Sequence, residues 1–284
     1  MRKILIVDFM NTLLRSLAVN ANLSDERGIS TGGFYGALTQ LTSKINKHQP
    51  DVVVFCSDTK PYYRTTLYPD YKGNRKPSAP EWITQIKDNV TALTEFLELC
   101  NITHLKSPGL EADDLIALLI QANPSDMIFV LSNDNDLFQL LTTNQVQLLR
   151  NSGLYNKTVF YTEYPDLEPE DWVLYTALQG THNNVKGIPK CGPKTALKYT
   201  LQLKQQQSIH KIQEYQELIE RNKQLIALPL KHEMCDLSSI DLTLAPNKFN
   251  FREIARYCYP YGIKITQSMI EAFDKMTFPG FRDL

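Results

Sequence analysis

The sequence predicts an α/β fold in which a central, mostly parallel sheet is flanked by helices. Three short apolar runs, rich in Val, Ile and Leu, lack polar alternation and indicate strands buried on both faces, at residues 4–7, 52–55 and 127–131. Helical hydrophobic patterns lie between them, at residues 31–47, 82–100 and 111–121. Strands that alternate with helices in this way are typical of parallel sheets with crossover helices.

The pattern changes after about Pro165, which we take as a boundary between two regions. Before it, two later strands are predicted at residues 145–150 and 158–162, around the turn at residues 151–153. Beyond it the chain is mostly helical, with helices predicted at residues 169–178, 193–203, 208–226 and 252–257. We therefore expect an α/β core over residues 1–165 and a helical region over residues 166–284.

The composition narrows the classes of function. The 284-residue chain is 43% hydrophobic, and its net charge of −1 gives no overall attraction for a polyanion, so nucleic-acid binding must depend on local patches. Five scattered cysteines without a CxxC pair do not fit a zinc site and favour reduced thiols. Asp8 interrupts the first apolar run, which argues against a signal peptide, and no run has membrane-spanning length. We expect a cytoplasmic monomer without membrane contact.

An acid follows each of the three predicted parallel strands. Asp8 ends the first apolar run, Asp58 follows the second, and Asp134 with Asp136 follows the third. Because ligands of open α/β sheets bind beyond the carboxyl ends of the strands, we expect these side chains to converge.

A predicted helix that begins EADDLIALLI adds Glu111, Asp113 and Asp114. Acids in a first helical turn also complement the helix dipole, and for this segment alone that interpretation is favoured. The whole set of acids in one crevice would repel strongly, and a divalent cation would relieve the repulsion. Oxygen ligands suit Mg²⁺ or Mn²⁺, and two such ions promote phosphodiester hydrolysis.

Two basic segments lie near these acids in the sequence. Residues 60–76, KPYYRTTLYPDYKGNRK, combine five cations and four tyrosines with one acid, which suits single-stranded nucleic acid; a solvated loop is an equal alternative. Residues 187–204, GIPKCGPKTALKYTLQLK, place Pro193 at the start of a helix, where free N–H groups, Lys194 and Lys198 would hold a phosphate. The turn alone favours an ordinary proline-started helix with a lysine-rich face.

Together, these segments resemble the flap endonuclease and 5′→3′ exonuclease family, particularly its phage and bacterial members. The matching words occur in family order over about residues 4–200: IVDFMN, FCSD, YRTTLYPDYKGNRK, GLEADDLIA, LSNDNDLFQL and GIPKCGPKTA. The resemblance implies a PIN-like core, a helical arch over about residues 72–100, and a C-terminal helical DNA-binding region with a helix-hairpin-helix-type motif. It also implies divalent-metal-dependent hydrolysis of DNA near a 5′ end or flap, at a single-strand/duplex junction.

The resemblance also implies roles for individual residues. Asp8 and Asp134, with Lys72 and Arg75 at the scissile phosphate, would be catalytic. The predicted metal ligands, direct or through water, are Asp8, Asp58, Glu111, Asp113, Asp114, Asp134 and Asp136. Arg64 would support the strand, Tyr71 would stack on a base, and Lys76 would also bind DNA. The duplex-binding turn, which in the family often holds K⁺, would use Gly187, Ile188, Lys190, Gly192, Lys194 and Thr195.

The chain departs from the family pattern at two places. Thr181 and Asn183 stand about where the family has carboxylates for a second metal ion, and Lys190 stands where it favours glycine. The first departure predicts a weakened second metal site, because hard cations prefer charged oxygens. The second predicts loss of the positive φ that a glycine supplies, and with it less secure K⁺ binding.

Three functions therefore remain open. The first is an active 5′ nuclease with a weakened second metal site. The second is a catalytically impaired protein of the same fold that binds DNA junctions without cutting them. The third is an RNA-directed PIN-type nuclease, against which the duplex-binding turn argues.

Overall fold

The computed structural model describes residues 1–75, 78–231, 233 and 236–277. Its centre is a six-stranded sheet with the order β3-β2-β1-β4-β5-β6, in which only the β5–β6 pair is antiparallel. The strands are β1 (Lys3–Asp8), β2 (Val52–Cys56), β3 (Thr103–Leu105), β4 (Met127–Leu131), β5 (Val146–Arg150) and β6 (Gly153–Tyr155). The predicted fold class, a mostly parallel sheet flanked by helices, is confirmed.

Helices cover both faces of this sheet. Those before residue 165 are α1 (Phe9–Val19), α2 (Gly32–His48), α3 (Tyr63–Leu67), α4 (Pro80–Leu99), α5 (Ala112–Ala122) and α6 (Lys157–Glu163). Those after residue 165 are α7 (Trp172–Gln179), α8 (Pro193–Lys204), α9 (His210–Glu214), α10 (Gln216–Ile226), α11 (Phe251–Cys258) and α12 (Gln267–Thr277). No helix in the described residues is long and apolar enough to cross a membrane.

Alternate residues of β1 supply two separate hydrophobic cores, because successive side chains of a strand point to opposite faces. Ile4 and Ile6 pack with α5, α7 and α8, whereas Leu5 and Val7 pack with α1, α2, α4, α11 and α12. Helices from beyond residue 165 thus complete the core on each face. The α/β core and the helical region predicted from the sequence share both hydrophobic cores.

Several local predictions were wrong. Residues 158–162 form α6 rather than a strand, because the Asn156 side chain caps that helix at the Val159 N–H and Phe160 packs into the first core. Residues 208–226 form two helices, which meet at Tyr215. The short strand β3 and helices α1 and α12 were not predicted.

Helix α4 forms most of the segment predicted to be an arch, about residues 72–100. Its described carboxyl-terminal half packs into the second core through Ala92, Leu93, Phe96 and Leu97, while none of residues 80–88 is buried. Residues 80–88 of the helix therefore add no fully buried side chain to that core. Lys76, predicted to bind DNA, lies outside the described residues.

Candidate active site

The acids that follow the parallel strands converge at one edge of the sheet. Strand β1 lies between β2 and β4, and Asp8 is level with Cys56 of β2, as Val7 is with Leu131 of β4. Burial, with repulsion from Asp58 and Asp134, raises the pKa of Asp8 to about 7. The carboxylates of three adjacent strands thus share one electrostatic environment, as the sequence predicts.

Helix caps fix two of these acids. Asp8 is the N-cap of α1 and accepts from the Asn11 N–H at 3.1 Å and from Ser132 Oγ at 3.0 Å. Asp134 caps the 3₁₀ helix Asn135–Leu140 and accepts from the Asp136 N–H at 2.9 Å. An acid at a strand end followed at once by a helix is therefore held by the backbone it caps.

The other acids come from the start of α5 and from the 3₁₀ helix. Burial, with repulsion from Asp134 and Asp8, raises the pKa of Asp113 well above its usual value. Burial and Asp134 raise the pKa of Asp136 to about 7. Asp58 accepts from the Ala112 N–H at 2.8 Å, which ties the β2 end to α5. We call Asp8, Asp58, Glu111, Asp113, Asp134 and Asp136 the acid pocket.

Lys72 reaches the acid pocket, as predicted for a residue at the reaction centre. Its Nζ lies 2.7 Å from Glu111 Oε1 and 4.8 Å from the centre of the Tyr62 ring. Tyr71 Oη donates to Glu111 Oε2 at 3.0 Å, and Tyr71 is only 6% exposed. The base-stacking role predicted for Tyr71 does not fit this position, because its ring is buried.

Arg64 and Asp114 form a buried ion pair beside the acid pocket. The guanidinium meets both Asp114 oxygens, at 2.6 and 2.8 Å, and the side chains are 2% and 0% exposed. Arg64 Nε also donates to the Leu225 carbonyl at 2.8 Å, and Asp114 accepts from the Leu230 N–H at 2.7 Å. The strand contact predicted for Arg64 is not available, since the guanidinium is enclosed and already paired.

Gln139 completes the contacts to the same segment. Its Nε2 donates to the Ile226 carbonyl at 3.1 Å, and its Oε1 accepts from the Leu228 N–H at 2.9 Å. We call Arg64, Asp114, Gln139 and residues 225–230 the buried clamp. Both Asp114 oxygens accept hydrogen bonds within this clamp. Asp114 also accepts a hydrogen bond from the Glu111 N–H at 3.0 Å, and it therefore supports Glu111.

Within the described residues, no three His, Cys, Asp or Glu side chains already form a group that could hold a metal ion. The donor chemistry nevertheless fits a divalent cation. Carboxylate oxygens predominate, and three of the acids have raised pKa values because they are buried and also repel one another. Lys72 currently neutralises Glu111, so side chains must turn before the pocket can close on a cation.

A cavity of about 370 Å³ opens onto the acid pocket. It is lined by Asn11, Arg15, Asn133, Asp134, Asn135, Asp136, Arg150 and His182. Sequence reasoning did not assign Arg15, Arg150 or Asn11 to the site. Asn11 could have been found from the sequence, since it lies within the motif IVDFMN. The two arginines lie outside the motifs, and only the folded structure brings them to the cavity.

The comparisons with known proteins agree with this geometry. The family described as "5′-3′ exonuclease, N-terminal resolvase-like domain" matches residues 3–165, which is more than half of the chain. The chain belongs to this 5′-3′ exonuclease family. The family resemblance found in the motifs is confirmed.

Individual relatives extend the match. The 5′-3′ exonuclease of Aquifex aeolicus (strain VF5) is 34% identical over 203 residues, which cover 69% of this chain and 68% of that protein. The 5′-3′ exonuclease of Bacillus subtilis (strain 168) is 34% identical over 235 residues, covering 78% and 76%. The solved structure of the bacteriophage T5 flap endonuclease in complex with DNA and metal ions matches with a TM-score of 0.67 at 18% identity, covering 97% and 98%. The last likeness supports the fold.

The turn resembling the family's duplex-binding motif is exposed at Lys190, Gly192 and Lys194. Lys190 has a φ of 60°, so it adopts the left-handed conformation without being glycine, and the predicted loss of positive φ was wrong. Gly187 is required for space, because a Cβ there would meet the Gln179 carbonyl oxygen at 2.4 Å. The Pro189 carbonyl accepts from Lys211 Nζ at 2.6 Å, so an ammonium group already lies at this turn.

Proposed function

We propose that this member of the 5′-3′ exonuclease family hydrolyses DNA phosphodiester bonds near a 5′ end or flap, with Mg²⁺ or Mn²⁺ as the cofactor. The supporting observation is the convergence of mutually repelling carboxylates from β1, β2, β4 and α5 beside Lys72. An acidic pocket by itself repels DNA. A cationic side chain and a divalent ion together reverse that repulsion where the phosphate must lie.

Asp8, Glu111, Asp113 and Asp134 are the proposed direct ligands of a first metal ion, with Asp58 and Asp136 beside them. A divalent cation bound there would neutralise the phosphate and activate the attacking water. Lys72 and Arg75 would orient the scissile phosphate, and Lys72 would exchange Glu111 for a phosphate oxygen. Asp114 would act one step away, by holding Arg64 and the backbone N–H of Glu111.

The turn at residues 187–194 would hold the duplex backbone through exposed N–H groups and lysines, independently of sequence. Because Lys211 donates to the Pro189 carbonyl, a K⁺ ion at this turn would have to share or displace that ammonium group. The four described cysteines are free and buried, which fits the proposed cytoplasmic setting.

One observation favours a second candidate, a junction-binding protein that does not cut DNA. In the described residues no metal-binding group of three side chains is assembled, and neutral Thr181 and Asn183 stand about where the family pattern has acids. A weakened second metal site would still permit cleavage at high divalent-ion concentration, which is the outcome we propose.

The test is a titration of Mg²⁺ and of Mn²⁺ over a 5′-flap DNA, with a 3′-flap DNA of the same sequence as the control substrate. We expect the wild type to cut the 5′ flap at millimolar divalent ion, and Asp8→Ala to lose on the order of 1000-fold in rate, equivalent to about 4 kcal/mol. Folded wild-type protein that cuts nothing at any concentration, while Asp8→Ala still prefers the flap, would establish the binding protein instead.

A further inference from the structure

The loop of residues 181–184, which we call the neutral loop, is bonded to residues 70–75, the basic segment. The Lys72 N–H donates to the Asn183 carbonyl at 2.8 Å, and Arg75 Nη2 donates to Asn183 Oδ1 at 2.9 Å. Asn74 Nδ2 donates to the His182 carbonyl at 3.2 Å, and Asn184 Nδ2 to the Asp70 carbonyl at 2.8 Å. Both proposed phosphate contacts, Lys72 and Arg75, thus meet the same residue.

The neutral loop is firmly built. Asn183 is 6% exposed and its N–H donates to Thr181 Oγ1 at 3.1 Å. A bridge between Gly180 and Lys186 closes the loop, and the Thr181 N–H donates to the Val185 carbonyl at 2.8 Å. Lys72 and Asn184 both have left-handed backbones, with φ of 58° and 63°, a conformation that persists in side-chain-bearing residues only where the surroundings fix it.

We propose that Asn183 is a positioning residue whose side chain directs Arg75 while its backbone carbonyl holds Lys72, and that the neutral loop fastens the basic segment instead of ligating a second metal ion. This inference rests on the proposed function, because it concerns how the site receives a DNA phosphate. The positioning role explains why Asn183 is buried and hydrogen-bonded at a position where the family pattern has a charged residue.

An amide suits this task better than a carboxylate. The Asn183 oxygen fixes the direction of the Arg75 guanidinium without neutralising its charge, so the cation remains available to a phosphate. A carboxylate at the same position would keep the geometry but form an ion pair with Arg75, and DNA would then have to compete with it. Geometry and charge can therefore be separated by two substitutions.

The first readout needs neither metal nor DNA. Asn183→Ala removes the side-chain oxygen that accepts from Arg75 but keeps the carbonyl that accepts from the Lys72 N–H. Amide hydrogen exchange at Arg75, measured by NMR, should therefore accelerate about tenfold in Asn183→Ala and remain as in the wild type in Asn183→Asp. Asn123→Ala is the matched control, since it removes an asparagine bonded to the Leu119 carbonyl and to Arg2 at the opposite end of α5. Unchanged exchange in Asn183→Ala would overturn the positioning role.

The second readout is the affinity for a 5′-flap DNA in Ca²⁺, by fluorescence anisotropy between 50 and 200 mM KCl, about the range over which phosphate contacts are separated by salt. Asn183→Ala should bind about tenfold more weakly with the same salt slope. Asn183→Asp should lose about one unit of slope, because one phosphate contact is replaced. Equal slopes in all three proteins would contradict the charge argument.

Two further measurements separate this inference from its alternatives. In an Arg75→Ala background, Asn183→Ala should cause no additional loss of affinity, because its effect passes through Arg75; a full additional loss would overturn the inference. The number of Mn²⁺ ions bound should be the same in wild type and Asn183→Ala, and a lower number in the variant would make Asn183 a ligand. If the flap DNA is never cut but the exchange result holds, the nuclease proposal fails and the positioning role stands.

Discussion

The acid pocket and the buried clamp lie side by side, and adjacent residues of α5 belong to each. Asp114 meets Arg64 and two backbone N–H groups, so its charge is fully compensated. Asp113 faces other carboxylates, which together with burial raise its pKa well above the usual value. Two neighbouring aspartates therefore differ in role. Asp114 is structural because its charge is compensated, whereas Asp113 is available to a ligand because its charge is not.

The largest effect is expected from breaking the clamp. Asp114→Asn removes the bidentate partner of the buried Arg64 guanidinium and leaves it only Glu111, at 3.6 Å, which should lower the free energy of unfolding by about 3 kcal/mol. Asp113→Asn removes a repelling charge and should leave that free energy unchanged or slightly higher. Urea unfolding at pH 7.5 without divalent ions checks both. Equal losses in the two variants would erase the distinction between the regions.

A smaller effect should separate the regions by their response to a cation. Mn²⁺ at one hundred times its Kd stabilises the folded state by about 2.7 kcal/mol if it binds only that state. We expect the wild type to gain this stability, Asp113→Asn to lose most of the gain, and Asp114→Asn to keep it on a lower baseline. Thermal unfolding with and without Mn²⁺ measures the gain, and a clamp variant that folds but does not respond would make Asp114 a ligand.

The sequence was sufficient where one segment carries its own signal. Strand hydrophobicity and the acid after each strand predicted β1, β2 and β4 and the convergence of Asp8, Asp58 and Asp134, because parallel strands end at the same edge. The start of α5 was equally predictable from the sequence, since its acids precede a helical stripe of leucines.

The clamp and the neutral loop were not predictable in this way. Arg64 lies in a segment rich in cations and tyrosines, and the family resemblance assigned it to DNA. Its partner Asp114 is fifty residues away, and its Nε donates to the Leu225 carbonyl of α10. Thr181 and Asn183 were informative only as missing acids, since nothing in the sequence indicates that Asn183 meets Lys72 and Arg75. Contacts between segments that are distant along the chain can be identified only from the folded structure.

The smallest expected effect is a pH dependence confined to the acid pocket. Burial and Asp134 raise the pKa of Asp136 from 3.8 to about 7, so the folded state holds that proton more tightly than the unfolded chain. The stability from this proton is fully present below pH 3.8 and is lost as the pH rises through about 7, with a slope of at most about 1.4 kcal/mol per pH unit.

Asp136→Asn removes the titration, so its stability relative to wild type should rise between pH 4 and 7 and then level off. Urea unfolding over that range measures the difference, with Asp126→Asn as the control: hydrogen bonds from Arg2 lower the pKa of Asp126 below 3.8, so its titration lies below the range and its difference from wild type should stay nearly constant. A flat difference for Asp136→Asn would mean that neither burial nor its neighbours raise the pKa of this carboxyl, and the contrast between pocket and clamp would then rest on Asp113 and Asp8.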